Sequence, residues 1–274
     1  MDYLKIYEEE HLKNGLSYGE IRNKYNIPRG TWDYYIRKKY GKSADLRKYR
    51  CNDDFFDNID SEIKAYLLGF LYADGYIASD GRIGILLNSK DVEIEELMRK
   101  FIAPNSIIKE INYQNFKRDK QVRLRFKSKR LYARLKELGF TTDKTHTNYE
   151  ILSKIPEPFK KDFIRGYTDG DGSVRFDKVK TGNWYKVAVV YCNGVPKILE
   201  EIKEYFSNCN GILRHYDNYY TLNYEKKKDA EFISRHLYLN SSYYLKRKFK
   251  KAMNIIKYCN NTELNLETKE SKSV

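Results

Sequence analysis

The sequence predicts an α+β protein made of two similar halves behind a small all-α unit. Three observations predict it. The order helix, strands, helix, strands, helix occurs twice between residues 61 and 258, and several segments alternate apolar and polar residues with period two. A short motif that ends a helix also occurs at the same point of both repeats.

Residues 1–50 read as three short helices. The first runs through Leu4–Leu12 and stops at Asn14-Gly15; Ser17 and Glu20 form a capping box that opens a second through Tyr25. Asn26-Ile27-Pro28 breaks the chain, and Thr31–Tyr40 supplies the third helix. This is a helix-turn-helix pattern, with Ile21, Tyr25, Ile27, Trp32 and Ile36 as its small core. Arg29, Thr31, Tyr34 and Arg37 then face outward on the last helix as candidate DNA contacts, and twelve Lys/Arg against seven acids favour that use over mere packing.

The first repeat (51–150) opens with an apolar helix, Ile63–Ala73, followed by strands around an Asp80-Gly81 turn with Ile83, Ile85 and Leu87 on one side. A helix at Val92–Phe101, strands at Ile107–Ile111 and Val122–Lys127, and a helix at Leu131–Leu138 complete it. The second repeat (151–259) has helices at Phe163–Thr168, Ile198–Phe206 and Ala230–Leu237. Its strands fall near Val174–Phe176, Tyr185–Tyr191, Ile212–Tyr216 and Tyr220–Tyr224. Thr141–Pro158 links the repeats, a basic helix Leu245–Ile256 follows, and the polar residues 260–274 are expected to be disordered. In Val122–Lys127 the apolar Val122, Leu124 and Phe126 alternate with Arg123, Arg125 and Lys127, a cation row suited to a phosphate backbone.

The doubled motif carries the chemistry. The first copy reads Gly69-Phe70-Leu71-Tyr72-Ala73-Asp74-Gly75 and the second Gly166-Tyr167-Thr168-Asp169-Gly170-Asp171-Gly172. Gly69 with Ala73, and Gly166 with Gly170, are four apart on one helix face, so two such helices can pack closely. An interior glycine costs roughly 1 kcal/mol against alanine, and close packing is the compensation. Gly75 and Gly172 are expected as left-handed C-terminal caps. Asp74 and Asp171 would emerge side by side at helix C-termini, where carboxylates repel one another and attract cations. Such an oxygen-ligated site suits Mg²⁺ and phosphodiester chemistry.

The wider composition agrees. Fifty-two Lys/Arg against 38 Asp/Glu give a net charge of +14, concentrated in residues 105–130 and 226–257, which favours a polyanionic partner. No run is long and apolar enough to span a bilayer, and no leader precedes the first helix. Four scattered cysteines with no CxxC pair imply a reduced, intracellular protein, in cytoplasm, nucleoid or organelle matrix, without a zinc site.

With Phe163-Ile164-Arg165-Gly166-Tyr167-Thr168-Asp169-Gly170-Asp171-Gly172-Ser173 and its first-copy counterpart, the chain resembles the LAGLIDADG homing endonucleases over about residues 61–258. Lys144-Thr145-His146 followed by Ile155-Pro156 is similar to the linker of two-motif members. The resemblance implies a monomer of two αββαββα halves, with the motif helices at a pseudo-twofold axis and saddle-shaped antiparallel sheets over double-stranded DNA. It implies Mg²⁺-dependent hydrolysis of both strands by metal-activated water, with Asp74 and Asp171 as the metal-binding acids. Asp169 takes a structural position, occupied by Tyr72 in the first copy, and Lys127 and Lys226 are candidates for a basic catalytic residue at a strand end. The alternative is a non-cleaving nucleic-acid-binding regulator or an RNA-splicing maturase on the same scaffold. An intein-borne nuclease is disfavoured, because the sequence lacks a splicing-type Cys/Ser start and His-Asn end.

Overall fold

The computed structural model describes residues 1–14, 16, 18–40, 51–111, 120–142, 150–180, 182 and 184–270, the last ten as backbone only. The expected Ser17–Glu20 capping box and the Lys144-Thr145-His146 linker therefore fall outside the described residues, wholly or in part. The chain divides into two compact units, one comprising Met1–Asp54 with Gly81–Lys129, the other Phe55–Asp80 with Arg130–Val274.

In the first unit, α1 (Tyr3–Ile6) is capped by the Asp2 side chain and runs on as a π-helical segment, Tyr7–Lys13. Helices α2 (Tyr18–Tyr25) and α3 (Arg29–Tyr40) follow, joined through Asn26 at φ 49°. A left-handed residue there lets Pro28 precede a fresh helix. Tyr7, Ile21, Ile27, Trp32 and Ile36 are the buried core. Tyr25 was expected among them but is only partly buried, because its hydroxyl reaches out to donate to Glu10 Oε1 at 2.6 Å; Tyr7 fills the place instead. Arg29, Tyr34 and Arg37 are exposed and Thr31 half-buried.

The unit's strands are β2 (Arg82–Asn88), β3 (Lys109–Ile111) and β4 (Gln121–Lys127), with β4 antiparallel to both others. Gly81, at φ +86°, makes the turn before β2. Ile83, Ile85, Val122, Leu124 and Phe126 are buried against Ile94 and Met98 of α5 (Val92–Phe101). Arg123 is half-buried while Arg125 and Lys127 are exposed, as the alternation requires.

The second unit holds α4 (Glu62–Asp74) with the short β1 (Gly75–Ile77), then α6 (Lys129–Glu137) and α7 (Lys160–Gly170). Strands β5 (Ser173–Lys178), β6 (Tyr185–Asn193), β7 (Ile212–Tyr216) and β8 (Tyr219–Tyr224) form a sheet ordered β5-β6-β8-β7. The order β6-β8-β7 repeats β2-β4-β3, all antiparallel, so the duplicated plan is present in the sheets. Helices α8 (Lys197–Tyr205) and α9 (Lys227–Tyr238) occupy the places of α5 and α6.

Two expectations, on the C-terminal tail and on the glycine caps, are corrected. Helix α10 (Lys246–Glu270) continues through most of the segment expected to be disordered, which contains neither glycine nor proline to stop it. Helix α4 packs its glycine face on α7 and so falls in the second compact unit, although it opens the first repeat. Gly75 is not a left-handed cap: it is extended (φ −73°, ψ 163°), and Gly172 is likewise absent from the positive-φ glycines. Both are needed for space instead. A Cβ on Gly75 would lie 2.4 Å from the Leu71 carbonyl oxygen, and one on Gly172 2.7 Å from the Thr168 backbone.

Candidate active site

Both motif helices lie in the second unit and are buried nearly all round. A Cβ built on Gly69 would stand 2.0 Å from the Phe163 carbonyl oxygen, and one on Gly166 2.0 Å from that of Tyr66. The reciprocal clash is what two helices related by a local twofold produce at their closest approach. At the helix ends, a Cβ on Gly170 would meet the Ala73 Cβ at 2.4 Å and Asp74 Oδ2 at 3.2 Å. Asp74 is thus within contact of the residue preceding Asp171. Asp171 is the C-terminal cap of α7, with its N–H bonded to the Tyr167 carbonyl at 3.0 Å. Both aspartates are exposed.

Asp169 is a different kind of acid. It is buried and accepts hydrogen bonds from Tyr66 Oη (2.9 Å), Tyr238 Oη (2.7 Å) and the Leu245 N–H (2.7 Å). Burial raises its pKa, against the pull of these donors. With its oxygens so engaged it ties α7 to α4, α9 and the start of α10. Tyr72, its counterpart, packs instead among the rings of Phe140, Phe163 and Tyr167.

Two further charges were not singled out in the sequence. Arg165 is fully buried, donating to Asp162 (2.8 Å), Glu62 (2.7 Å) and the carbonyls of Leu237 and Tyr243, with its guanidinium over the Tyr66 ring. Lys248, on α10, is 4% exposed and its Nζ lies 2.6–2.9 Å from the carbonyls of Thr168, Asp169, Gly170 and Gly172. It is a cation placed on the negative end of α7, around the turn that carries Asp171. Burial pushes its pKa down to about 8, while Asp169, Asp74 and Asp171 pull it back up. A signal for it exists in the sequence: Leu245, Lys248, Ala252 and Ile255 fall on one helical stripe, so Lys248 stands where an apolar residue belongs.

A cavity of about 400 Å³ opens beside Asp171, lined among others by Tyr72, Phe140, Cys192, Asn193 and Tyr219. Lys127 and the arginines of β4 belong to the first unit, and Lys127 pairs with Arg82 at the end of the ladder. Lys226 is exposed, at the N-cap of α9. The ladders also relate the two strand ends. Superposing buried Leu124 and Phe126 on buried Leu222 and Tyr224 puts Glu225, one residue before Lys226, at the place of Lys127.

Among the described residues no group of three or more His, Cys, Asp or Glu is arranged to hold a metal. The two exposed aspartates nevertheless fit Mg²⁺, which takes one or two carboxylates and completes its shell with water and phosphate oxygen.

No protein-family model matches the chain. An uncharacterised protein of Methanocaldococcus jannaschii is 23% identical over 269 residues, spanning 91% of this chain and 92% of that protein. Among solved structures, the chain is similar to the LAGLIDADG meganuclease I-AabMI bound to uncleaved DNA, with a TM-score of 0.48 and 17% identity, covering 74% of this chain and 91% of that one. The I-SmaMI LAGLIDADG homing endonuclease bound to cleaved DNA gives 0.47 and 11%, covering 75% and 90%. The N-terminal LAGLIDADG domain of DUF199/WhiA gives 0.41 and 16%, covering 68% and 88%.

Proposed function

We propose that this chain is a two-motif LAGLIDADG endonuclease that hydrolyses both strands of a specific DNA site. The observation that carries the reading is the pair of Asp74 and Asp171 at the ends of two helices whose glycines permit backbone-to-backbone contact. Two exposed acids stand at adjoining helix C-termini, in the negative field of the helix ends and beside one another, with the buried Lys248 as a nearby cation. A divalent cation on a phosphodiester suits such a pair.

In this reading Asp74 and Asp171 hold Mg²⁺, which when bound lowers the pKa of its water and stabilises the leaving oxygen. Asp169 and Arg165 are the fixed frame, locking α7 against α4 and α9. Lys248 holds the peptide carbonyls around Asp171 so that its carboxylate is presented in one orientation. Arg123 and Arg125 position the phosphate backbone, and Lys127 stabilises charge on it. The N-terminal helices add contacts through Arg29, Thr31, Tyr34 and Arg37, in helix-turn-helix fashion.

Incubating the protein with a random duplex library and Mg²⁺, then sequencing the new ends, tests this. Recurrent cuts on both strands at a common sequence are expected. Tight binding without new ends would instead support the regulator or maturase reading on the same scaffold.

A further inference from the structure

The open faces of the two sheets differ in chemistry. In the first unit, residues directly opposite one another share a face: Lys109, Arg123 and Leu86; Arg125 and Gly84; Lys127 and Arg82. The other face is the buried one, so Arg82, Lys109, Arg123, Arg125 and Lys127 stand together with no acid among these partners. In the second unit, Arg214, Thr221 and Cys192 share the open face, as do Tyr216 with Tyr219, Arg175 with Ala188, and Asp177 with Lys186. Here the charges are mixed, Lys186 facing Asp177. The stacked Tyr216 and Tyr219 rings are 43% and 42% exposed, and Ile212, on the same face beyond Arg214, is 47% exposed.

Phosphate oxygens only accept hydrogen bonds, and a face built of cations only donates them. Such a face matches the backbone of any sequence. Hydroxyls that donate and accept, arginines set among neutral groups, and apolar groups that meet the thymine methyl can instead tell one base edge from another.

We infer that the two sheets divide the recognition of duplex DNA. The first supplies affinity that is sensitive to salt and indifferent to sequence, and the second supplies most of the base discrimination. This rests on the DNA-binding part of the proposed function and not on cleavage.

The test compares the parent, the double variant Arg123→Gln/Arg125→Gln and the double variant Tyr219→Phe/Thr221→Val, all as full chains in EDTA. Duplexes are selected from a random pool, and salt-dependent affinities are measured on selected and unrelated DNA. The arginine variant should lower the slope of log K against log salt by about 1.8, about 0.9 per contact, equally on both DNAs. Its preferred sequence should be that of the parent. The second variant should keep the parental slope and lose roughly tenfold of its preference at some positions. An arginine variant with altered base preferences, or a Tyr219/Thr221 variant with the parental profile, overturns the division. A parent that binds no duplex overturns the proposed function itself.

Discussion

Replacing Gly69 or Gly166 by alanine sets helix propensity against packing. Propensity alone favours alanine by roughly 1 kcal/mol in a helix interior. Packing opposes it, since the new methyl would lie 2.0 Å from a backbone carbonyl oxygen of the facing helix, where ordinary contact begins near 3.4 Å. A carbonyl cannot rotate away, so the helices must separate by more than an ångström. Overpacking of this kind costs about 3 kcal/mol at the upper end of the usual range, leaving a net loss of about 2 kcal/mol. For a chain of this size that is a fall in Tm of about 4–8 °C. Gly19 and Gly30 are the controls: both are helical with nothing within 4 Å of an added Cβ. Alanine there should leave stability unchanged or raise it by up to about 1 kcal/mol. Urea denaturation of the four variants gives the signs. Gly69→Ala and Gly166→Ala proteins as stable as the parent would refute the close helix contact and, with it, the juxtaposition of the aspartates.

Glu95 gives a pH prediction. It is fully buried in α5 with no hydrogen-bond partner at normal distance, and burial pushes its pKa up to about 7, against the backbone of Leu124 and Leu87. The folded state keeps a proton that the unfolded state releases above its ordinary value near 4.5, so stability falls as pH rises from about 4.5 to 7. The loss is up to about 3 kcal/mol, and Glu95→Leu should reduce the slope in denaturation curves across that range by about that amount, leaving the contribution of the buried Asp169. A parent and a variant with the same pH dependence would contradict this. Arg165→Ala should destabilise by about 3–5 kcal/mol by leaving Asp162 buried and unpaired, read as a shift in urea midpoint. Lys248→Met should slow cleavage roughly tenfold or more while DNA binding, followed by gel shift, is retained. Parental cleavage would remove Lys248 from the account.

Much of the fold was legible because it is written in local periodicity. The alternation through Val122–Lys127 fixes which side of β4 is buried, and the Gly-small-Asp-Gly frame fixes where the two motif helices meet. The roles of Asp169, Arg165 and Lys248 were less legible, because each depends on partners 69–103 residues away in sequence. Spacing identified Asp169 as a motif position but not the tyrosines that hold it. The caps failed for a related reason. A glycine after a helix suggests a left-handed residue, yet Gly75 and Gly172 are small because the chain passes tightly over Leu71 and Thr168. The offset between Lys127 and Lys226 could be seen only once the ladder registers were known.

The most direct test of the central claim is strand-resolved cleavage of the selected site by the Asp74→Asn and Asp171→Asn proteins in Mg²⁺, beside a binding measurement on the same duplex. Each variant is expected to bind the site at least as tightly as the parent and to cut it far more slowly. Parental cleavage of both strands by either variant would contradict it.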